Sequence, residues 1–139
     1  MPENDPEVEA EVIASVFELL YRAKNPIILA DCCSMRHRVV EETHKLMEKL
    51  EIPGFVTPMG KGAIDETNPH FGGVYIGEIS LPNVREVVER SDCVLSIGAL
   101  LSDFNTVSLL TILLTKQGSF SYHIGKSRTV EFHSTWTQV

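Results

Sequence analysis

Two short apolar runs, Ile27-Ile28-Leu29-Ala30 and Cys93-Val94-Leu95-Ser96-Ile97, each come after an amphipathic stretch and a breaker, and that alternation leaves few folds open. The first, uninterrupted, suits a central parallel strand buried on both faces, and the second, which includes Ser96, reads as a further strand. Before the first run, Asn4 and Asp5 can cap a helix with Pro6 in its first turn. Val8, Val12, Ile13, Val16, Phe17, Leu19 and Leu20 then form a broad apolar stripe as far as Arg22, and Asn25-Pro26 breaks the helix. A second amphipathic helix is expected from about residue 35 to residue 50. It carries Val39, Val40, Leu46, Met47 and Leu50, with Glu41 and Lys45 four apart in the favourable order. Ile52-Pro53-Gly54 stops it, and Phe55, Val56 and Thr57 read as the next strand.

A long loop, residues 57–77, is punctuated by glycine and proline, and loops of that length in a compact domain are usually functional or interfacial. Ser80 with Pro82 starts a short helix bearing Val84, Val87 and Val88, which leads into residues 93–97. A further strand is expected at residues 129–133. The expected class is α/β: an open parallel sheet with helices on both faces. Such sheets bind ligands beyond the carboxyl ends of their strands, here residues 31–37, 57–62 and 98–106.

Charge and termini exclude several partners. A chain of 139 residues with 43% hydrophobic content fits one domain, and a net charge of -7 argues against a nucleic-acid partner. The acidic start MPENDPEVEAEV lacks the basic and apolar regions of a secretory signal, and no apolar run reaches membrane-spanning length, so a cytoplasmic protein without a membrane partner is expected. Cys32, Cys33 and Cys93 fit neither a disulfide framework nor a CxxC zinc clasp and are read as free thiols.

Other features read as structural. His37 and His44 lie seven apart, on one face of the expected second helix, but no third ligand accompanies them, so no metal site is expected and solvated histidines are the reading. Gly60-Lys61-Gly62 lacks the spacing of a phosphate loop and reads as a turn. Gly98 follows a strand, but GALLSD lacks the dinucleotide-binding glycine spacing, which disfavours bound flavin or NAD.

The strings NPIILAD, FVTPMGKGAIDE, NPHFGGVYIG, LSIGALLSDFNT, GSFSY and VEFHS resemble the central domain of thiamine diphosphate-dependent decarboxylases, in particular the fungal pyruvate decarboxylase branch. The resemblance runs from about residue 4 to residue 134. It implies a Rossmann-like central domain whose parent converts pyruvate to an aldehyde and carbon dioxide. It also implies that thiamine diphosphate and magnesium are bound outside this segment, by N-terminal and C-terminal domains absent here. On that basis no catalytic, cofactor-binding or metal-binding residue is assigned to this chain, none of these groups is expected on it, and the chain alone is expected to be inactive.

The same resemblance implies a regulatory site where a 2-keto acid acts as effector, aligned with Cys33 and Arg36. A guanidinium can take a carboxylate bidentately, and a thiolate near positive charge can attack a ketone. Other decarboxylase domains or subunits are the expected macromolecular partners. Two further readings are a stand-alone 2-keto acid or nucleotide binding module and an interaction module for full-length decarboxylase subunits. The chain departs from the family pattern in two places, which suggests an incomplete domain: residues 107–117, VSLLTILLTKQ, separate DFNT from GSFSY, and TWTQV follows VEFHS. The added segment combines high β propensity with low charge, the pattern of an aggregation hazard when exposed.

Overall fold

The computed structural model describes residues 6–100, 119–122 and 130–132. The caps at Asn4 and Asp5 and the segment 107–117 lie outside the described residues. Along the chain the elements are α1 (Pro6–Arg22), β1 (Pro26–Ala30), α2 (Cys32–Arg36), α3 (Val40–Leu50), β2 (Gly54–Val56) and β3 (Phe71–Val74). A 3-10 turn, Gly77–Ile79, leads to α4 (Pro82–Arg90), β4 (Cys93–Ile97), β5 (Ser119–Tyr122) and β6 (Val130–Phe132).

The strands form one sheet in the order β3-β2-β1-β4-β5-β6. Every neighbouring pair is parallel except β5 and β6, which run antiparallel. The chain leaves β1 towards β2 and β3 on one side and returns with β4 on the other, so the order reverses at β1. That reversal opens a crevice at the carboxyl ends of β1 and β4.

The pleat of β1 divides the core in two. Ile27 and Leu29 join Phe55, Tyr75, Val84, Val88 and Val94 under α4. Ile28 and Ala30 face the other way, with Met47, Val56, Ile64 and Leu95, where Val12, Val16 and Leu19 of α1 and Leu46 and Leu50 of α3 pack. Both faces of β1 are therefore covered, which is why its sequence is apolar without alternation. At the opposite end of the sheet the Asp92 carboxylate accepts from the backbone N–H groups of Lys24 (2.7 Å) and Asn25 (2.8 Å), fixing where β1 begins beside β4.

The structure corrects four expectations. The helix read over residues 35–50 is two helices. Arg38 stands in the left-handed region (φ 58°), Val39 N–H donates to Ser34 O (3.0 Å) and Arg38 N–H to Met35 O (3.1 Å), the paired bonds of a Schellman stop. His37 and His44 therefore do not share one helix face. The loop read over residues 57–77 contains an edge strand, β3, and the 3-10 turn. The apolar stripe of α1 is narrower than its sequence suggests: Ile13 and Phe17 are exposed, and the Phe17 ring stacks on Tyr21 at 6.1 Å. Finally, Leu81 rather than Ser80 is the cap of α4, and the Ser80 hydroxyl instead accepts from Ile76 N–H (2.7 Å).

Candidate functional site

All three strand-end segments meet at one side chain, Asp31, which directly follows β1. An isolated carboxylate in the interior is costly unless donors surround it, and Asp31 is 1% exposed. Its Oδ1 accepts from Cys32 N–H (2.6 Å) and from the Thr57 hydroxyl (2.6 Å), and its Oδ2 accepts from Leu100 N–H (2.8 Å). Thr57 follows β2 and Leu100 follows β4, so one carboxylate ties together the exits of β1, β2 and β4. The Thr57 oxygen also accepts from Gly60 N–H (3.0 Å), which starts the turn at residues 60–62. That turn agrees with the sequence reading of Gly60-Lys61-Gly62.

The crevice is narrow because backbone fills it. Cys33 N–H donates to Gly98 O (3.1 Å), and a Cβ built at Gly98 would fall onto the Ser34 backbone nitrogen. Ser34, fully buried, returns both its N–H (3.0 Å) and its hydroxyl (2.6 Å) to Asp31 O. The first three N–H groups of α2 are thus engaged by Asp31 and Gly98. A diphosphate placed at this crevice would meet a buried carboxylate and donors already engaged, so the cluster does not fit that group.

Cys33 is half-buried on α2, and Arg36 is exposed in its last turn, three residues on and therefore on the same side. Cys32 is buried. Its thiol is pushed up to about 11 by burial and then by the Asp31 charge, while Arg36 pulls the other way. The Cys93 thiol is also raised, by burial and then by Asp92. All three cysteines are free. Among the described residues no cluster of three histidine, cysteine or acidic side chains is placed to hold a metal ion. His44 is half-buried rather than solvated, and its Nε2 accepts from Asp65 N–H (3.0 Å).

The model for the thiamine pyrophosphate enzyme central domain matches residues 13–131. The chain belongs to that family. Pyruvate decarboxylase of Candida glabrata is 54% identical over 136 residues, 98% of this chain and 22% of the relative. The Aspergillus terreus pyruvate decarboxylase is 52% identical over 139 residues, 100% of this chain and 22% of the relative. Isozyme 2 of Saccharomyces cerevisiae is 56% identical over 131 residues, 94% of this chain and 21% of the relative. The chain thus spans about a fifth of the length of these relatives.

As a thiamine pyrophosphate enzyme central domain, the chain carries its strand-end cluster on three segments that sequence reasoning had marked. Asp31 lay in the marked segment 31–37 but was given no role of its own, although an acidic residue placed directly after an apolar central strand was the available signal. Residues 101–106 of the third segment lie outside the described residues.

Proposed function

We propose that this chain serves as a non-catalytic central domain of a pyruvate decarboxylase, with a structural and regulatory part in a reaction that turns pyruvate into acetaldehyde and carbon dioxide. The identity of 54% over 136 residues to a pyruvate decarboxylase carries the proposal. In this reading thiamine diphosphate and magnesium are held by other domains of the parent enzyme, in keeping with the poor fit of the Asp31 cluster to a diphosphate. A cytoplasmic location accords with the acidic balance and the three free thiols.

The regulatory part rests on Cys33 and Arg36. Arg36 is solvent-facing and able to take the carboxylate of a 2-keto acid, and Cys33 lies on the same side of α2. Attack of the Cys33 sulfur on the ketone forms a C–S bond and opens the C=O π bond. The thiol proton ends on the former carbonyl oxygen, giving a reversible hemithioketal.

Amide NMR of the chain during a pyruvate titration tests this reading. Saturable shifts around residues 31–37, lost in both Cys33→Ser and Arg36→Ala, are expected. A folded spectrum indifferent to pyruvate overturns the effector site. Release of acetaldehyde by this chain with pyruvate, thiamine diphosphate and magnesium overturns the non-catalytic assignment.

One surface supports partners among other decarboxylase domains or subunits. Ile79 and Leu81, 79% and 68% exposed, flank Ser80 at the start of α4, and two large apolar side chains so exposed favour an interface. Co-purification with a full-length decarboxylase subunit, weakened by Leu81→Lys, is the expected result. Unchanged recovery of the variant removes this surface from the interface.

A further inference from the structure

The loop over residues 57–70 is held in two different ways. Its first half is fastened by packing: Ala63 and Ile64 are buried in the cluster that contains Met47 of α3. Its second half is organised by hydrogen bonds around Asp65. Asn68 N–H donates to Asp65 O (3.0 Å), and the Asp65 carboxylate accepts from Thr67 N–H (2.8 Å) and the Thr67 hydroxyl (2.7 Å). The tie from this half to α3 is the bond from Asp65 N–H to His44 Nε2, 3.0 Å long. A ring nitrogen that accepts must be unprotonated, so this bond requires neutral imidazole with its hydrogen on Nδ1.

We propose that His44 is a proton-operated clasp: neutral, it holds residues 65–70 of the loop against α3, and protonated, it releases the Asp65 N–H to water. Protonation fills the lone pair that Asp65 N–H uses and turns Nε2 into a donor. On the loop side the Asp65 carboxylate is close enough to feel a charge on His44, and Glu66 and Lys61 of the same loop lie 3.8 Å apart as a pair. On its own helix the imidazole is flanked at helical spacing by Glu41 and Glu48, and Glu41 is engaged by Lys45 at 3.0 Å. Thr67 holds the Asp65 carboxylate below its usual range, which favours a charged loop partner beside the imidazole. The loop begins at Thr57 and Gly60, which belong to the Asp31 cluster, and the buried Ala63 and Ile64 lie between that end and Asp65, so the release is confined to the half beyond Ile64 whether or not the site takes an effector.

Amide NMR of the whole chain between about pH 5 and pH 8 tests the clasp. The His44 ring C–H and the Asp65 amide are expected to titrate with one midpoint. Protection of the Asp65 N–H from exchange, corrected for its intrinsic rate, should fall by roughly tenfold or more on the acid side. His44→Gln keeps an acceptor at the same reach but cannot titrate in this range. In that variant the Asp65 amide should stay protected and flat with pH. An Asp65 amide that is indifferent to pH in the parent chain, or that still titrates in His44→Gln, overturns the proposal.

Discussion

The Thr57 hydroxyl donates to the Asp31 carboxylate across 2.6 Å and at the same time accepts from Gly60 N–H at 3.0 Å, so one side chain locks the exits of two adjacent strands and the turn that follows. Thr57 is 1% exposed, and loss of its hydroxyl takes one donor from the buried Asp31 carboxylate, while Gly60 N–H keeps its bond to Thr57 O (3.0 Å). Thr57→Val should lower the unfolding free energy by about 1–3 kcal/mol. Thr57→Ser keeps the hydroxyl and deletes one methyl, a loss of roughly 1 kcal/mol. Denaturant unfolding of both variants checks the order. A valine variant as stable as the serine variant shows that packing rather than the bond holds this corner.

The centre of the sheet and its β6 edge, read as a strand at residues 129–133, were legible in the sequence, whereas β3 and β5 were not. β1 and β4 are buried on both faces, so their apolar runs point to one structure. β3 contains Gly72 and Gly73, which have little strand propensity, and Gly72 is there because a Cβ would enter the Phe55 ring. β5 carries two serines in four residues and pairs in parallel with β4 without an apolar run of its own. The stop between α2 and α3 was hidden because Arg38, not glycine, takes the left-handed position. The three strand ends were legible as a region from topology alone. The convergence on Asp31 was not, since its partners Thr57 and Leu100 lie 26 and 69 residues away.

Gly98 is a position where the crevice tolerates no side chain. Its φ of 69° is unfavourable for any L-residue with a Cβ, and the added atom would collide with the Ser34 backbone, which cannot rotate away. Gly62, with φ 92°, is a control: its nearest neighbour to an added Cβ is the Met35 sulfur at 3.7 Å. Gly62→Ala should cost only the backbone strain, roughly 1–2 kcal/mol. Gly98→Ala should cost clearly more and should expose Cys33 N–H to exchange, because its bond to Gly98 O is displaced. Thermal unfolding and amide exchange check the pair. Equal losses would show that the close approach of Gly98 to α2 relaxes easily.

The three thiols should separate by reactivity. Cys33 is half-buried, while Cys32 and Cys93 are buried with their thiols raised, Cys32 to about 11. At pH 8 a thiol with that value is about one part in a thousand thiolate. Iodoacetamide should therefore label one site per folded chain quickly and three after denaturation, with the fast site lost in Cys33→Ser. Mass spectrometry of the labelled peptides reads the result. Fast labelling of Cys32 in the folded chain would contradict the shielding by burial and by Asp31.

Tyr75 gives the fold a pH dependence on the alkaline side. It is 3% exposed under α4, and its phenol is raised from 10.0 to about 12, by burial first and by Glu89 second, with Arg85 opposing. The folded state therefore holds the phenolic proton more tightly than the unfolded state does. Between the two values the folded chain binds more protons than the unfolded chain, so stability falls as pH rises. The contribution is complete below pH 10 and is lost as pH climbs towards 12, a total of roughly 2–3 kcal/mol. Tyr75→Phe removes this term and keeps the ring in the cluster with Phe55 and Val84. The difference in unfolding free energy between the two chains should shift by about 1 kcal/mol from pH 8 to pH 11, against the parent. Chemical denaturation at the two pH values measures it, and a difference that does not change with pH would mean the phenol ionises as readily in the folded chain as in the unfolded one.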